Sequence, residues 1–435
     1  MTNEADGDRL RGFRLLIILL CAGILFMDGV DAQATSYVAP GLRAAWRLTP
    51  GQLANVFSSS LFGILLGALF LAPLADRFGR RPMILVCTLA VGACTLATAF
   101  SGGLTGLLAL RFLTGLGLGG AMPNAIALGS EYAPAKRRGL IVSLMFSGFT
   151  LGAIAGGLIA HEAVPAHGWR SVFLVGGLLT LAFVPMAVWG VPESVRFLRA
   201  TGASAETIHR LLARIGPFDE APEAPGSKAD GGLRALFSQG RAIRTVLLWV
   251  VFFMSLLDVY MLINWLPSAL NQGGASVQTA ILVSTIMQSG GLIGAWPLGA
   301  LVDRIGARAT LAPAYLLAAA CIAGIGLLAS HSIVLTTLVA FGAGFGVIGG
   351  QAAMNAIAAT TYPTPARATG VGWALGVGRT GSIVGPLVGG VLMTAHMPIR
   401  NIFLLSAIPA AIAALALLGL TATQPVGLRG SRAST

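Results

Sequence analysis

Five ionisable residues fall inside otherwise apolar runs of the 435-residue chain: Asp28, Asp31 and Asp258, Arg111 and Arg379. At the centre of a lipid-spanning helix each such charge costs roughly 2.5–3.5 kcal/mol on insertion scales, so each is a functional candidate expected to face the interior and find a partner. Asp28 and Asp31, in "FMDGVDAQ", stand three residues apart and share one helix face. Two carboxylates that close in a poorly solvated site oppose double ionisation, so at least one can take up and release a proton. A salt bridge to Arg111 is the structural alternative, and protonation would break such a bridge. Arg111 precedes Gly115, Gly117, Gly119 and Gly120, which predict a close approach to a neighbouring span, expected to be the first. Because Arg111 lies only about two turns into its span, helix-end snorkelling is the competing reading. Arg379, in "GVGRTGSIVGP", is too deep to snorkel. Its planar fork suits a carboxylate ligand in a dry site better than lysine would, with a structural role as the alternative. Asp258 has no assigned role.

The elements that must carry these residues are read from hydropathy. The chain is 55% hydrophobic and 10% charged, with mean hydropathy +0.82. That composition excludes a soluble domain and predicts an all-α membrane protein. Twelve apolar runs are long enough to cross a bilayer: Leu15–Ala39, Gln52–Ala75, Pro82–Phe100, Leu104–Ser130, Leu140–Ala160, Trp169–Gly190, Thr245–Leu270, Thr279–Val302, Thr310–Ala329, Ile333–Ala359, Thr369–Ala395 and Asn401–Thr421. An even number puts both termini on one face. Of the 28 Lys and Arg, only Arg43, Arg47, Arg170 and Arg400 fall on the other face and only Arg111 and Arg379 within spans. So lopsided a split makes the terminal face cytoplasmic. It also accounts for the net charge of +12 without nucleic acid. Cys21, Cys87, Cys94 and Cys321 all lie in apolar runs, without metal spacing, and read as packing residues. "MTNEADGDRLRGFR" reads as a cytoplasmic lead-in to a retained helix rather than a cleaved signal.

The expected domains are a six-helix half over 1–190, a cytoplasmic connection over 191–244 and a second half over 245–435. The connection contains "FDEAPEAPGSKADGG", whose composition predicts flexibility. The halves repeat in the same sense. "PLADRFGRRPM" pairs with "ALVDRIGARAT" at a spacing of 227, and "AMPNAIA" with "AAMNAIA" and "RRGL" with "RATGV" at 231. Such parallel copies are related by an axis along the membrane normal.

"LADRFGRR", "RFLTGLGLGG" and "VPESVRFL" resemble the signature loop, fourth-span motif and sixth-span close of the major facilitator superfamily. "DGVDAQ", "GGAMPNAIALGSEYAP", "VYMLINWLP" and "RATGVGWALGVGRTGSIVGPL" resemble, more narrowly, its aromatic acid:proton symporters. Within them "VYMLINWLPSAL" is most similar to the phenylpropionate branch. The resemblance implies twelve helices in two halves, transport rather than enzymatic activity, and protons as the coupling ion with no other cofactor. It implies the inner membrane of a bacterium, a monomer, and a hydroxybenzoate- or phenylpropionate-like acid as substrate. It places Asp28, Asp31 and Arg111 in proton coupling.

A bound ring wants flat apolar walls and a few polar groups. Tyr260, Asn264, Trp265, Gln288 and Trp373, with Asn124 and Asn355 of the duplicated motif, are the candidates beside Arg379. A packing or interfacial role is the alternative for the tryptophans. Asp76, Arg77, Arg80 and Arg81, with Glu131, Arg137 and Arg138, form a cytoplasmic charge cluster, and Asp303 and Arg304 begin its second copy. The motif resemblance implies a gate bridge that forms and breaks during alternating access; plain positive-inside charge is the alternative. Antiporters of the superfamily carry Gly-Pro in the fifth span. Here "SGFTLGAIAGGLIA" has no proline, which favours symport over the alternative of a proton-coupled efflux antiporter for drugs or organic solutes. A transporter-like membrane sensor is a further rival from another class, disfavoured because no soluble signalling segment is evident.

Overall fold

A computed structural model describes residues 12–134, 137–215, 236–238, 241–362, 364–395 and 397–422. Among them twelve helices are long and apolar enough to cross a membrane. They are α1 (Gly12–Trp46), α2 (Pro50–Phe78), α3 (Arg80–Thr98), α4 (Leu104–Tyr132), α5 (Arg138–His167), α6 (Arg170–Gly190), α7 (Ala242–Gln272), α8 (Val277–Ile305), α9 (Ala307–Leu328), α10 (Ile333–Thr361), α11 (Thr364–Thr394) and α12 (Ile399–Ala422). No strand occurs among the described residues.

Every expected span coincides with a helix, but the helices outrun the apolar segments. α1 continues through Pro40 to Trp46 and stops where Arg47 adopts φ +51°. α5 continues to His167 and stops at Gly168, φ +77°. Hydropathy marks the lipid boundary, whereas backbone hydrogen bonding continues until a residue leaves helical geometry. α2 is irregular near its end. A π turn at Gly67–Leu71 and a 3-10 turn at Ala72–Leu74 surround Pro73, which lacks an N–H to continue the ladder. The connection after α6 also holds more structure than its composition suggests: two short helices, Val195–Ala200 and Ala205–Ile215. Ser194 caps the first, its Oγ accepting from the Phe197 amide at 3.2 Å. "FDEAPEAPGSKADGG" lies outside the described residues.

The helices group into two compact units, Met1–Pro225 with Ala275–Thr285, and Gly226–Gly274 with Ile286–Thr435. In the first, α1 packs on α5 and α6, α3 on α6, and α4 on both α2 and α3. In the second, α7 packs on α11 and α12, α9 on α12, and α10 on α9. α10 also meets α8, where the Gly290 and Gly344 positions abut backbone. Each pairing in one unit recurs six helices later in the other, as a parallel duplication requires.

Candidate transport site

Four helices converge on Arg111. Its side chain is 1% exposed, and Nη1 lies 3.2 Å and 3.4 Å from Oδ1 and Oδ2 of Asp31 on α1. Nη2 donates to Thr98 Oγ1 (2.9 Å), Thr114 Oγ1 (3.0 Å) and Thr95 Oγ1 (3.3 Å). The hydroxyl protons of those threonines point elsewhere. Thr98 donates to the Cys94 carbonyl, Thr114 to the Leu110 carbonyl and Thr95 to Asp31. Each threonine oxygen is therefore free to accept from the guanidinium. The Phe173 ring of α6 covers the cation at 5.0 Å. Arg111 is thus a buried, paired charge, not a snorkelling one.

Asp28 stands apart from this network. It is 1% exposed, and neither carboxylate oxygen has a hydrogen-bond partner among the described residues. The two aspartates that look alike in sequence are chemically distinct, one an ion-pair partner and the other a carboxyl without a cation.

The glycines of α4 bring it close to α2 and α3 at Gly115, Gly117 and Gly119, and Gly129 faces Cys21 where α4 packs on α1. A Cβ at Gly115 or Gly119 would run into the α2 backbone at Ser60 or Ile64, and one at Gly117 would meet Cys87 and Val91 of α3.

In the second unit Arg379 is half-buried near the middle of α11. Its carbonyl accepts from Ser382 Oγ at 2.7 Å. Its guanidinium makes no hydrogen bond or ion pair among the described residues. Gln288 on α8 is 4% exposed, with no amide partner among those residues. Tyr260 is half-buried on α7, and its carbonyl accepts from Asn264 Nδ2 at 2.6 Å.

Three other candidates are engaged in packing. Trp265 Nε1 donates to the Pro386 carbonyl at 2.8 Å, joining α7 to α11. Trp373 stacks on Trp249 at 5.7 Å, and Trp249 meets the edge of Phe237. Asn124 Nδ2 donates to the Gly120 carbonyl (2.9 Å) and to the Ala72 carbonyl (3.3 Å) at the irregular turn of α2. The Asn355 side chain lies outside the described residues.

The charge cluster expected at the gate forms a brace within the first unit. Arg80 Nη1 pairs with Glu131 Oε2 at 2.8 Å, and Ser194 Oγ donates to the same oxygen at 2.7 Å. Glu193 accepts from the backbone amides of Arg80 (2.9 Å) and Arg81 (3.3 Å), so its carboxylate sits on the N-terminus of α3, where the helix dipole favours an anion. Gly79, φ +99°, makes the turn that admits it, and a Cβ there would strike that carboxylate. Arg81 Nη2 donates to the Val188 carbonyl and Arg138 Nε to that of Ser130. Asp76, Arg77, Arg137, Asp303 and Arg304 are exposed and form no ion pair among the described residues.

Thr95, Thr98, Thr114, Phe173 and Glu193 carry much of this geometry, yet sequence reasoning did not single them out. A signal existed for some: Thr95 and Thr98 share a face at i, i+3, Thr114 stands three residues after Arg111, and Glu193 lies in the "VPES" close of α6.

Twelve spans, duplicated packing, and a buried ion pair beside unpaired intramembrane charges define a polytopic carrier, not an enzyme. The Major Facilitator Superfamily model matches residues 21–349 and 248–434, and the chain belongs to that superfamily. It is 39% identical over 418 residues to the gallate transporter of Pseudomonas putida, covering 95% of this chain and 93% of the relative. It is 36% identical over 379 residues to the 3-(3-hydroxy-phenyl)propionate transporter of Escherichia coli (strain K12), covering 87% of each. A solved structure of a bacterial homolog of the human lysosomal transporter Spinster matches with TM-score 0.77 at 16% identity, covering 95% of this chain and 98% of that one, a likeness of fold.

Proposed function

We propose that the chain imports aromatic acid anions, hydroxybenzoate- or phenylpropionate-like, together with protons across the bacterial inner membrane by alternating access. The reading has both termini cytoplasmic, the carrier a monomer, and protons the only coupling species. The observation that carries it is the distribution of intramembrane charge. Arg111 is neutralised by Asp31, while Arg379 keeps a free guanidinium and Asp28 a free carboxyl. A half-buried unpaired guanidinium suits the carboxylate of an incoming anion, and a buried carboxyl without a cation suits a proton. Gln288, Tyr260 and Asn264 supply polar and aromatic contacts in the same unit as Arg379. Proton coupling answers a physical need, because the membrane potential opposes an entering anion by about 2.3 kcal/mol per charge per 100 mV. Similarity to carriers of gallate and hydroxyphenylpropionate supports the substrate class.

Uptake of radiolabelled 4-hydroxybenzoate and 3-phenylpropionate into vesicles, with and without an inward-directed pH gradient, tests the proposal. Gradient-driven accumulation is expected for the wild type. In Arg379→Ala the apparent Km should rise at least tenfold. Uptake indifferent to the gradient would reject symport.

A further inference from the structure

We infer that Asp258 is a second proton-binding site, the counterpart of Asp28 in the other half, so that two protons accompany each substrate anion. The inference rests on the symport reading above and deepens it.

Asp258 stands 230 residues after Asp28, within the 227–231 spacing of the repeated motifs. Its helix, α7, packs on α11 and α12 as α1 packs on α5 and α6. Asp258 is 0% exposed near the middle of α7, and both carboxylate oxygens lack a hydrogen-bond partner among the described residues. In each half, therefore, one deeply buried carboxyl has no cation. An isolated ionised carboxylate is so costly in a dry interior that the group is held as the neutral acid.

The groups around Asp258 fit a proton rather than a metal ion. No described Lys, Arg or His pairs with it. Among the described side chains, Arg379 on α11 and Arg400 on α12 are the cations of the two helices packed most closely on α7, and neither bonds it. Tyr315 on α9 is the titratable side chain that bonds Ser255, one turn before Asp258. One turn earlier on the same face, Ser255 Oγ donates to Gln351 Oε1 on α10 at 2.6 Å. With that proton committed, the 2.5 Å contact between Ser255 and Tyr315 has the tyrosine as donor. Gln351 is only half-buried. These hydroxyl and amide groups bond one another and leave the Asp258 carboxyl to itself. A metal cation would need several oxygens directed at it, whereas a proton needs only the carboxyl.

The full-length carrier is reconstituted in liposomes, with the membrane potential clamped to zero and a fixed inward-directed pH gradient. The steady-state accumulation of radiolabelled 4-hydroxybenzoate is measured, corrected with protein-free vesicles. Each proton carried raises that ratio about tenfold per pH unit. The wild type is expected to reach about 100-fold per unit, and Asp258→Asn about tenfold while retaining exchange of external for internal substrate. A wild-type ratio near tenfold would overturn the inference, even if the variant cannot be reconstituted. A variant that keeps the wild-type ratio would overturn it equally. A wild-type ratio that ignores the gradient would overturn the symport reading itself, and the second site with it.

Discussion

At the scale of single residues, Asp28 and Asp31 respond differently to the same substitution. Asp31 shares a buried ion pair with Arg111, so Asp31→Ala strands a guanidinium. We expect a loss of about 3–5 kcal/mol, seen as a lower thermal midpoint of the detergent-purified carrier. Thr98→Val removes one acceptor of Arg111 and should cost about 1–3 kcal/mol. Asp28→Asn breaks no contact, so its midpoint should match the wild type while gradient-driven accumulation falls to about tenfold per pH unit. Only part of this contrast was legible beforehand. The i, i+3 spacing puts both acids on one face, but which one meets Arg111 depends on Thr95, a residue on another helix that donates to Asp31. No local pattern encodes that choice.

At the scale of elements, helix contacts decide what a glycine is worth. Gly115→Leu places a side chain against the α2 backbone at Ser60 and should abolish monodisperse protein in size-exclusion chromatography. Gly372→Ala, with nothing within 4 Å of its Cβ, should purify like the wild type and melt at the same temperature or slightly higher. The glycine series of α4 announces close approach, but not toward which neighbour, because small residues say nothing about what abuts them. Span positions were legible for a simpler reason: lipid demands about 20 apolar residues wherever a helix crosses it. Helix ends were not, since α1 and α5 stop at turns rather than at the edge of apolarity.

At the scale of the whole molecule, the asymmetry of Lys and Arg predicts which loops face the cytoplasm. Glu162 and Glu206 are both well exposed, the first at the end of α5 and the second on the helix Ala205–Ile215. A membrane-impermeant maleimide applied to intact cells should label Glu162→Cys, and should label Glu206→Cys only after permeabilisation. The reverse pattern would invert the topology. The duplication was legible in three motif pairs, and the recurring helix contacts give it a packing basis. The partners of Arg111 carry one more consequence. Asp31, Thr95, Thr98, Thr114 and Phe173 all precede residue 174. During synthesis Arg111 thus has its counter-ion once the first four spans have left the translocon, and its full set of partners once six have. The nascent first half needs nothing from the half not yet made in order to shelter it from lipid.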